Sequence, residues 1–360
     1  MLVPVLAMVV LALAWFRHDH WSLLVVVAAA LIGGVLAAVH HAEVVAHKVG
    51  EPFGSLILAV AVTVIEVGLI VTLMISGGAG SSSYARDTVF AAVMITLNGM
   101  VGVSLLVGAL KHNLVAFNAA GTGSAVATVI TLAGVTMVLP SFTTSAAGRE
   151  YSSSQLGFAA VASLVLYAAF VFTQTIRHRD FFLPVASDDQ GRFTGLLDLD
   201  GDGHADPPET REAWLSLGLL IAALVSVVGL AQLLSPTIEQ TVRDLGFPYA
   251  VVGVVIALLV LTPESLAALR NARQNRVQIS LNLAYGSAMA SIGLTIPTIA
   301  VAMIWLSGPL ELGLEPTQMI LLAITVVVTS FTVVQGRAYA LQGVVHLVLL
   351  AAFLFLSAQP

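Results

Sequence analysis

Runs of apolar residues about 17–25 long recur from one end of this chain to the other, with short polar breaks between them. Each run is continuously apolar, without the every-second-residue alternation of a membrane barrel strand. That length is what a helix needs to cross a hydrocarbon core. The pattern predicts about eleven spans, in an all-α polytopic membrane protein. They are Leu2–Phe16, Trp21–His40, Phe53–Ser76, Thr88–Lys111, Ser124–Pro140, Gln155–Ile176, Trp214–Leu234, Pro248–Leu269, Ile279–Leu306, Thr317–Val334 and Ala338–Leu356. The first is short, but no basic segment precedes it and no small-x-small cleavage site precedes Arg17. It reads as a retained span rather than a signal peptide.

Only Arg177–Glu212 is a long polar stretch, and it divides the chain. Setting the first span aside, five spans precede it and five follow. An odd number per half turns the halves upside down relative to each other, the usual build of secondary transporters. The expected units are residues 1–20 as the N-terminal span, 21–176 and 214–360 as inverted five-helix repeats, and 177–213 as the acidic connection. Gly50-Glu51-Pro52-Phe53 leads to Glu66 in one half, and Gly246-Phe247-Pro248-Tyr249 leads to Glu264 in the other.

Lys and Arg in the short breaks set the orientation. Lys48, Lys111, Arg177, Arg179, Arg192, Arg211, Arg270, Arg273, Arg276 and Arg337 fall on one side, against Arg17, Arg86, Arg149 and Arg243 on the other. The rich side is expected to be cytoplasmic, with the N-terminus and the central loop. The C-terminus is then external, in a multi-pass protein of the cell inner membrane.

Composition agrees: 58% of residues are hydrophobic and 9% charged, with a mean hydropathy of +0.98. A soluble chain of this length carries far more charge. There is no cysteine, hence no disulfide or thiolate metal site. The net charge of −6 is concentrated in the central loop, and no basic patch suggests nucleic acid. No G-x-x-x-x-G-K-[ST] run is present to drive transport by nucleotide hydrolysis.

The chemistry begins with Glu66 and Glu264, carboxylates inside apolar spans, where a charge costs roughly 2.5 kcal/mol or more. Thr63 and Thr262, close by on the same helices, offer hydroxyls, and Pro263 is expected to free a carbonyl near Leu259 by breaking its helix. The next span of each half is also polar: Asn98, Gly99, Gly102 and Ser104 in one, Asn282, Gly286, Ser287 and Ser291 in the other. Of these, Asn98, Ser104, Asn282 and Ser291 are candidate ligands, while the glycines suit close helix approach. Hard cations take about six to eight oxygen ligands, an inventory these residues can supply. A bound divalent cation displaces protons from such carboxyls, so one site can hold either and exchange them.

Two further clusters stand apart. His40, Glu43 and His47 share one helical face and suggest a proton-access cluster at the membrane interface. Asp198, Asp200, Asp202, His204, Asp206 and Glu209 form a loop with Gly at its sixth position, the spacing of an EF-hand Ca²⁺ loop. Pro207 and Pro208 interrupt the start of its exiting helix.

Residues Ala46–Leu58 running into Ile65-Glu66-Val67, with Pro263-Glu264-Ser265-Leu266 and Ser291–Pro297, resemble the calcium/proton antiporters of the bacterial ChaA type, in the cation/Ca²⁺ exchanger superfamily. The resemblance implies an N-terminal span plus two inverted five-helix repeats, with Glu66 and Glu264 binding the transported cation. It implies Ca²⁺ as cargo, inorganic cations and protons as partners within a lipid bilayer, and no organic cofactor. A Na⁺/H⁺ or K⁺/H⁺ antiporter is the alternative within transport. An intramembrane metal-dependent hydrolase using His40, Glu43 and His47 is the alternative outside it. The ordered Asp-x-Asp-x-Asp-Gly spacing departs from the plain acidic run of the family's central loop.

That loop is expected to bind Ca²⁺ and regulate rather than carry it, since it lies outside the spans. Asp200→Asn together with Asp202→Asn should shift the dependence of flux on internal Ca²⁺ while leaving proton coupling in place. An unchanged activation curve would reduce the segment to an acidic linker.

Overall fold

A computed structural model describes residues 2–15, 21–50, 53–76, 81–183, 209–306 and 308–360. The EF-hand-like residues Asp198, Asp200, Asp202, His204 and Asp206 lie outside that set, and Glu209 is exposed just before α8. Ten helical stretches among the described residues are long and apolar enough to cross a membrane. α1 (Leu2–Ala14) is not one of them. Its 13 residues reach about 20 Å at about 1.5 Å each, short of a core about 30 Å thick. The expected eleventh span is therefore a short helix, packed against α2 (Trp21–Val49) and α8 (Thr210–Asp244).

Several helices outrun the apolar runs that predicted them. α2 continues through His40, His41, Glu43 and His47 because nothing there breaks it. It stops at Gly50, whose φ of +75° suits a helix end that other residues adopt only with strain. α8 passes through Pro236 to Asp244. The helices bearing the glutamates, α3 (Phe53–Ser76) and α9 (Ala250–Arg273), are continuous, Pro263 included.

The expected helix break lies instead in the third stretch of each half. In the first half, α4 (Tyr84–Met94) passes through a π turn at Ile95–Met100 into α5 (Val101–His112). In the second, α10 (Val277–Gly293) and α11 (Thr295–Ala302) are parted at Leu294. α6 (Ala119–Ala133) and α7 (Ser153–Phe172) complete the first half, and α12 (Pro316–Val334) and α13 (Ala340–Ala358) the second.

Short backbone links tie the halves together at each end of the bundle. At the Lys- and Arg-rich end, β1 (Val115–Ala116) pairs antiparallel with β2 (Arg337–Ala338), and Lys111 Nζ donates to the Arg273 carbonyl at 2.9 Å. At the other end Glu311 N donates to Ser82 O, and Gly313 N to Arg149 O, each at 2.9 Å. Arg86 is buried there, held by Asp87 at 2.8 Å, so neither charge is left unpaired.

Two apolar clusters fill the interior. One joins α4 to α7 and α9 to α13, with Ile70 of α3. The other joins α1, α2, α3, α8 and part of α9. α5 and α13 touch most closely at Gly343, where a Cβ would stand 2.5 Å from Leu106 N and 2.7 Å from the Gly102 carbonyl. Backbone cannot yield there as a flexible side chain can, so overpacking of about 1–3 kcal/mol is the expected cost of filling it. Gly343→Ala should lower the melting temperature in detergent, whereas Gly218→Ala, with open space around it, should not.

Candidate cation site

A carboxylate has to find donors wherever it is buried, and the interior of this bundle supplies hydroxyls. Glu66 is 2% exposed. Its Oε2 accepts from Ser291 Oγ at 3.1 Å and from Thr295 Oγ1 at 3.2 Å. Its Oε1 is buried with no partner among the described residues, as is the hydroxyl of Thr63 one turn earlier. Glu264 accepts from the Ser287 hydroxyl through Oε2. The two glutamates are close enough to feel each other's charge. Neither belongs to a described salt bridge.

These groups line one cavity of about 320 Å³ between α3, α7, α9 and α10. Thr63, Glu66, Glu264, Ser287 and Ser291 face it, with Tyr167 and Gln174 from the α7 side. It runs from the glutamates toward Leu58, Gln174 and Ile279, near the Lys- and Arg-rich end. The donor set is two carboxylates and several hydroxyls, all hard oxygens, which suits Ca²⁺ or an alkali cation.

The sequence candidates divide. Glu66, Glu264, Thr63, Asn282 and Ser291 meet at the cavity. Thr262 does not: it is exposed on the far face of α9, and its hydroxyl bonds back to Leu258 O. Asn98 is fully buried but turned the other way, donating to Thr325 Oγ1 at 3.0 Å and lying 3.3 Å from His346 Nδ1. Ser104 is buried away from the cavity, with no protein partner for its hydroxyl. Asn282 lines the wall, yet both ends of its amide are engaged by other protein groups.

His40, Glu43 and His47 are exposed on α2 and do not line the cavity, although Glu43 lies within electrostatic reach of Glu264. Among the described residues, no three His, Asp or Glu side chains come together as a metal cluster. Ser287 and Thr295 were not assigned to the site from sequence. A signal was there: Ser287, Ser291 and Thr295 repeat every four residues and form one stripe.

The model of the family described as sodium/calcium exchanger protein matches residues 20–176 and 215–359, both halves with the central loop left out. The chain belongs to that family. It is thus a membrane protein of a cation-exchanging, antiporter lineage. It is 44% identical over 342 residues to the "Putative ionic transporter y4hA" of Sinorhizobium fredii, covering 94% of this chain and 89% of the relative. It is 32% identical to the "Sodium-potassium/proton antiporter ChaA" of Escherichia coli, covering 98% and 93%. The solved structure titled "Structure of native YfkE" shares the fold, with a TM-score of 0.75 at 15% identity over 100% of this chain and 99% of that one. A second, "Crystal Structure of H+/Ca2+ Exchanger CAX", has a TM-score of 0.67 at 14% identity, covering 98% and 91%.

The geometry separates two residues that look alike in sequence. If the Ser287 hydroxyl beside Glu264 turns a lone pair to a bound cation, Ser287→Ala should lower cation affinity at least about tenfold, the scale of about 1.5–3 kcal/mol for a contact to a charged group. Thr262→Val should leave affinity unchanged. Competition binding on purified protein measures both.

Proposed function

We propose that this chain exports Ca²⁺ in exchange for protons by alternating access, with Glu66 and Glu264 as the shared cation and proton site. The observation that carries the reading is two carboxylates in one cavity, with hydroxyl donors and, among the described residues, no cationic side chain paired to them. A fixed Lys or Arg partner would keep such a carboxylate charged permanently. Hydroxyls do not: each can donate to a carboxylate, or rotate and offer a lone pair to a cation. Two carboxylates balance one divalent ion, and the ion's departure leaves a charge that protons neutralise in apolar surroundings. Competition for one site gives exchange rather than cotransport.

In this reading the Lys- and Arg-rich end is cytoplasmic, the membrane is the cell inner membrane, and the cavity faces inward. The loop Asp198–Glu209 is a regulatory Ca²⁺ site on the cytoplasmic face. His40, Glu43 and His47 tune proton access at the interface. The halves 21–176 and 214–360 act as inverted repeats that move against each other.

The name of the Escherichia coli relative, a sodium-potassium/proton antiporter, favours a second reading with Na⁺ or K⁺ as cargo. A monovalent ion balances one carboxylate and leaves the second to keep a proton, so the two readings differ in protons moved per ion.

Uptake of ⁴⁵Ca²⁺ into inverted vesicles under an imposed pH gradient tests the proposal, with Na⁺ and K⁺ as competitors. Uptake should rise with the gradient and collapse with a protonophore. Glu66→Gln and Glu264→Gln should each lower the rate at least about a hundredfold, the scale of truncating one buried charge partner. Gradient-independent accumulation, or either variant exchanging at near the parent rate, would overturn it. Full competition by Na⁺ or K⁺ without Ca²⁺ uptake would select the second reading.

A further inference from the structure

Asn282 sits in the cavity wall with its amide committed elsewhere. Its Nδ2 donates to the carbonyl of Phe182 at 2.6 Å, and its Oδ1 accepts from Gln278 Nε2 at 2.8 Å. Gln278 is itself fixed, its Oε1 accepting from Asn118 N at 2.6 Å where α6 begins. Phe182 closes a 3₁₀ turn, Arg179–Phe182, beyond the end of α7. Its ring is 6% exposed and meets Phe170 edge-on, 5.7 Å between centroids at 90°. Phe170 also lines the cavity. Beneath the turn lies α6, so close at Gly121 that a Cβ would stand 2.2 Å from the Phe181 carbonyl.

Phe182 is therefore wedged behind two wall residues, one from α7 and one from α10, with α6 at its back. A side chain oriented by two protein hydrogen bonds is poorly placed to wrap a cation, but well placed to hold two helices at a fixed separation.

We infer that Asn282 and Phe182 form a brace that sets the width of the cavity's mouth, and so the rate at which ions enter from the basic end. Asn282 is a positioning residue and not a cation ligand. The inference rests on the exchange reading of the cavity, and it deepens that reading by naming what controls entry. Removing the Asn282 amide frees the Phe182 carbonyl, and removing the Phe182 ring leaves Phe170 without support. Either loss loosens α7 against α10. Because the two residues act as one unit, losing both should do little more than losing one.

The chain has no cysteine, so a single introduced thiol reports access cleanly. Val171→Cys places one in the cavity wall beside Phe170. In the purified full-length protein, Phe182→Ala, Asn282→Ala and the double variant are each combined with it, and the rate of maleimide labelling is followed. Each single change should speed labelling about tenfold, the scale of the buried hydrogen bond lost in Asn282→Ala, and the double no further. Equilibrium Ca²⁺ binding should stay within about twofold of the parent, an effect too small for a lost hydrogen bond to a charged ligand. Additive labelling effects would overturn the brace. So would Asn282→Ala weakening Ca²⁺ binding tenfold with labelling unchanged, which would make it a ligand. Phe182→Leu, which keeps an apolar prop, should label at an intermediate rate and covers the case that Phe182→Ala does not fold. Labelling reads the brace whether or not the protein exchanges ions, while absence of flux in the parent itself would count against the exchange reading alone.

Discussion

The structure is organised around the cost of placing two carboxylates inside an apolar bundle. A charge in that position is expensive, and it persists only where something polar surrounds it. This protein surrounds Glu66 and Glu264 with hydroxyls from α10 and α11 rather than with a lysine or an arginine. The consequence is a pair of groups that no fixed counter-charge among the described residues neutralises. Buried Arg86, at the far end of the bundle, shows the contrasting solution: it is paired with Asp87 and held further by the Gly313 carbonyl. A paired charge is structural; an unpaired carboxyl must find a proton or a metal ion.

The helices around the site are arranged to meet that demand. α3 and α9 carry the glutamates without a break, so each carboxylate has a fixed height in the bundle. The irregular backbone lies next door, in the π turn at Ile95–Met100 and at Leu294. Irregular helix inside a membrane is tolerated where it is buried in protein or lines a cavity. At Leu294 the chain bends between Ser291 and Thr295, and both hydroxyls reach the same oxygen of Glu66. The π turn instead carries Asn98 to Thr325 and His346, a polar contact between α12, α13 and the first half.

Most of the fold was legible because hydrophobic run length reports membrane thickness directly. Helix ends were less so, since α2 and α8 continue past their apolar stretches into residues that are polar but helix-compatible. The short α1 shows the converse, an apolar run that forms a helix of only 13 residues. For the site, the glutamates were legible as charges out of place, and Thr262 was misplaced for a reason of helical geometry. Thr63 lies three residues before Glu66 and shares its face; Thr262 lies two before Glu264 and cannot. The second pattern is one residue shorter between threonine and glutamate, with Pro263 alone in place of Val64-Ile65, and that turns the threonine away. Asn98, Ser104 and Asn282 stand out by polarity and by their place on the next helix of each repeat, neither of which says which neighbour a side chain turns toward.

The location of the hydroxyls also bears on why binding and movement should be linked. Apolar residues of α3 around Glu66, from Ala61 to Leu73, belong mainly to the cluster shared with α1, α2 and α8. Ser291 and Thr295 sit among residues of the other cluster, with α10 and α11. The bonds to Glu66 therefore run from a helix packed mainly in one cluster to helices packed in the other, although α3, α4 and α9 contribute to both. Close-packed interiors resist gradual deformation, so relative motion is easiest between such clusters. In the proposed exchange, swapping a proton for a cation at Glu66 would require the hydroxyls to turn, and that would change a contact between the two clusters. A site inside one cluster could bind an ion with no such effect. On the proposed reading, a site between the clusters would tie each binding event to the balance between two arrangements of the bundle, which is what an exchanger needs if it is not to leak.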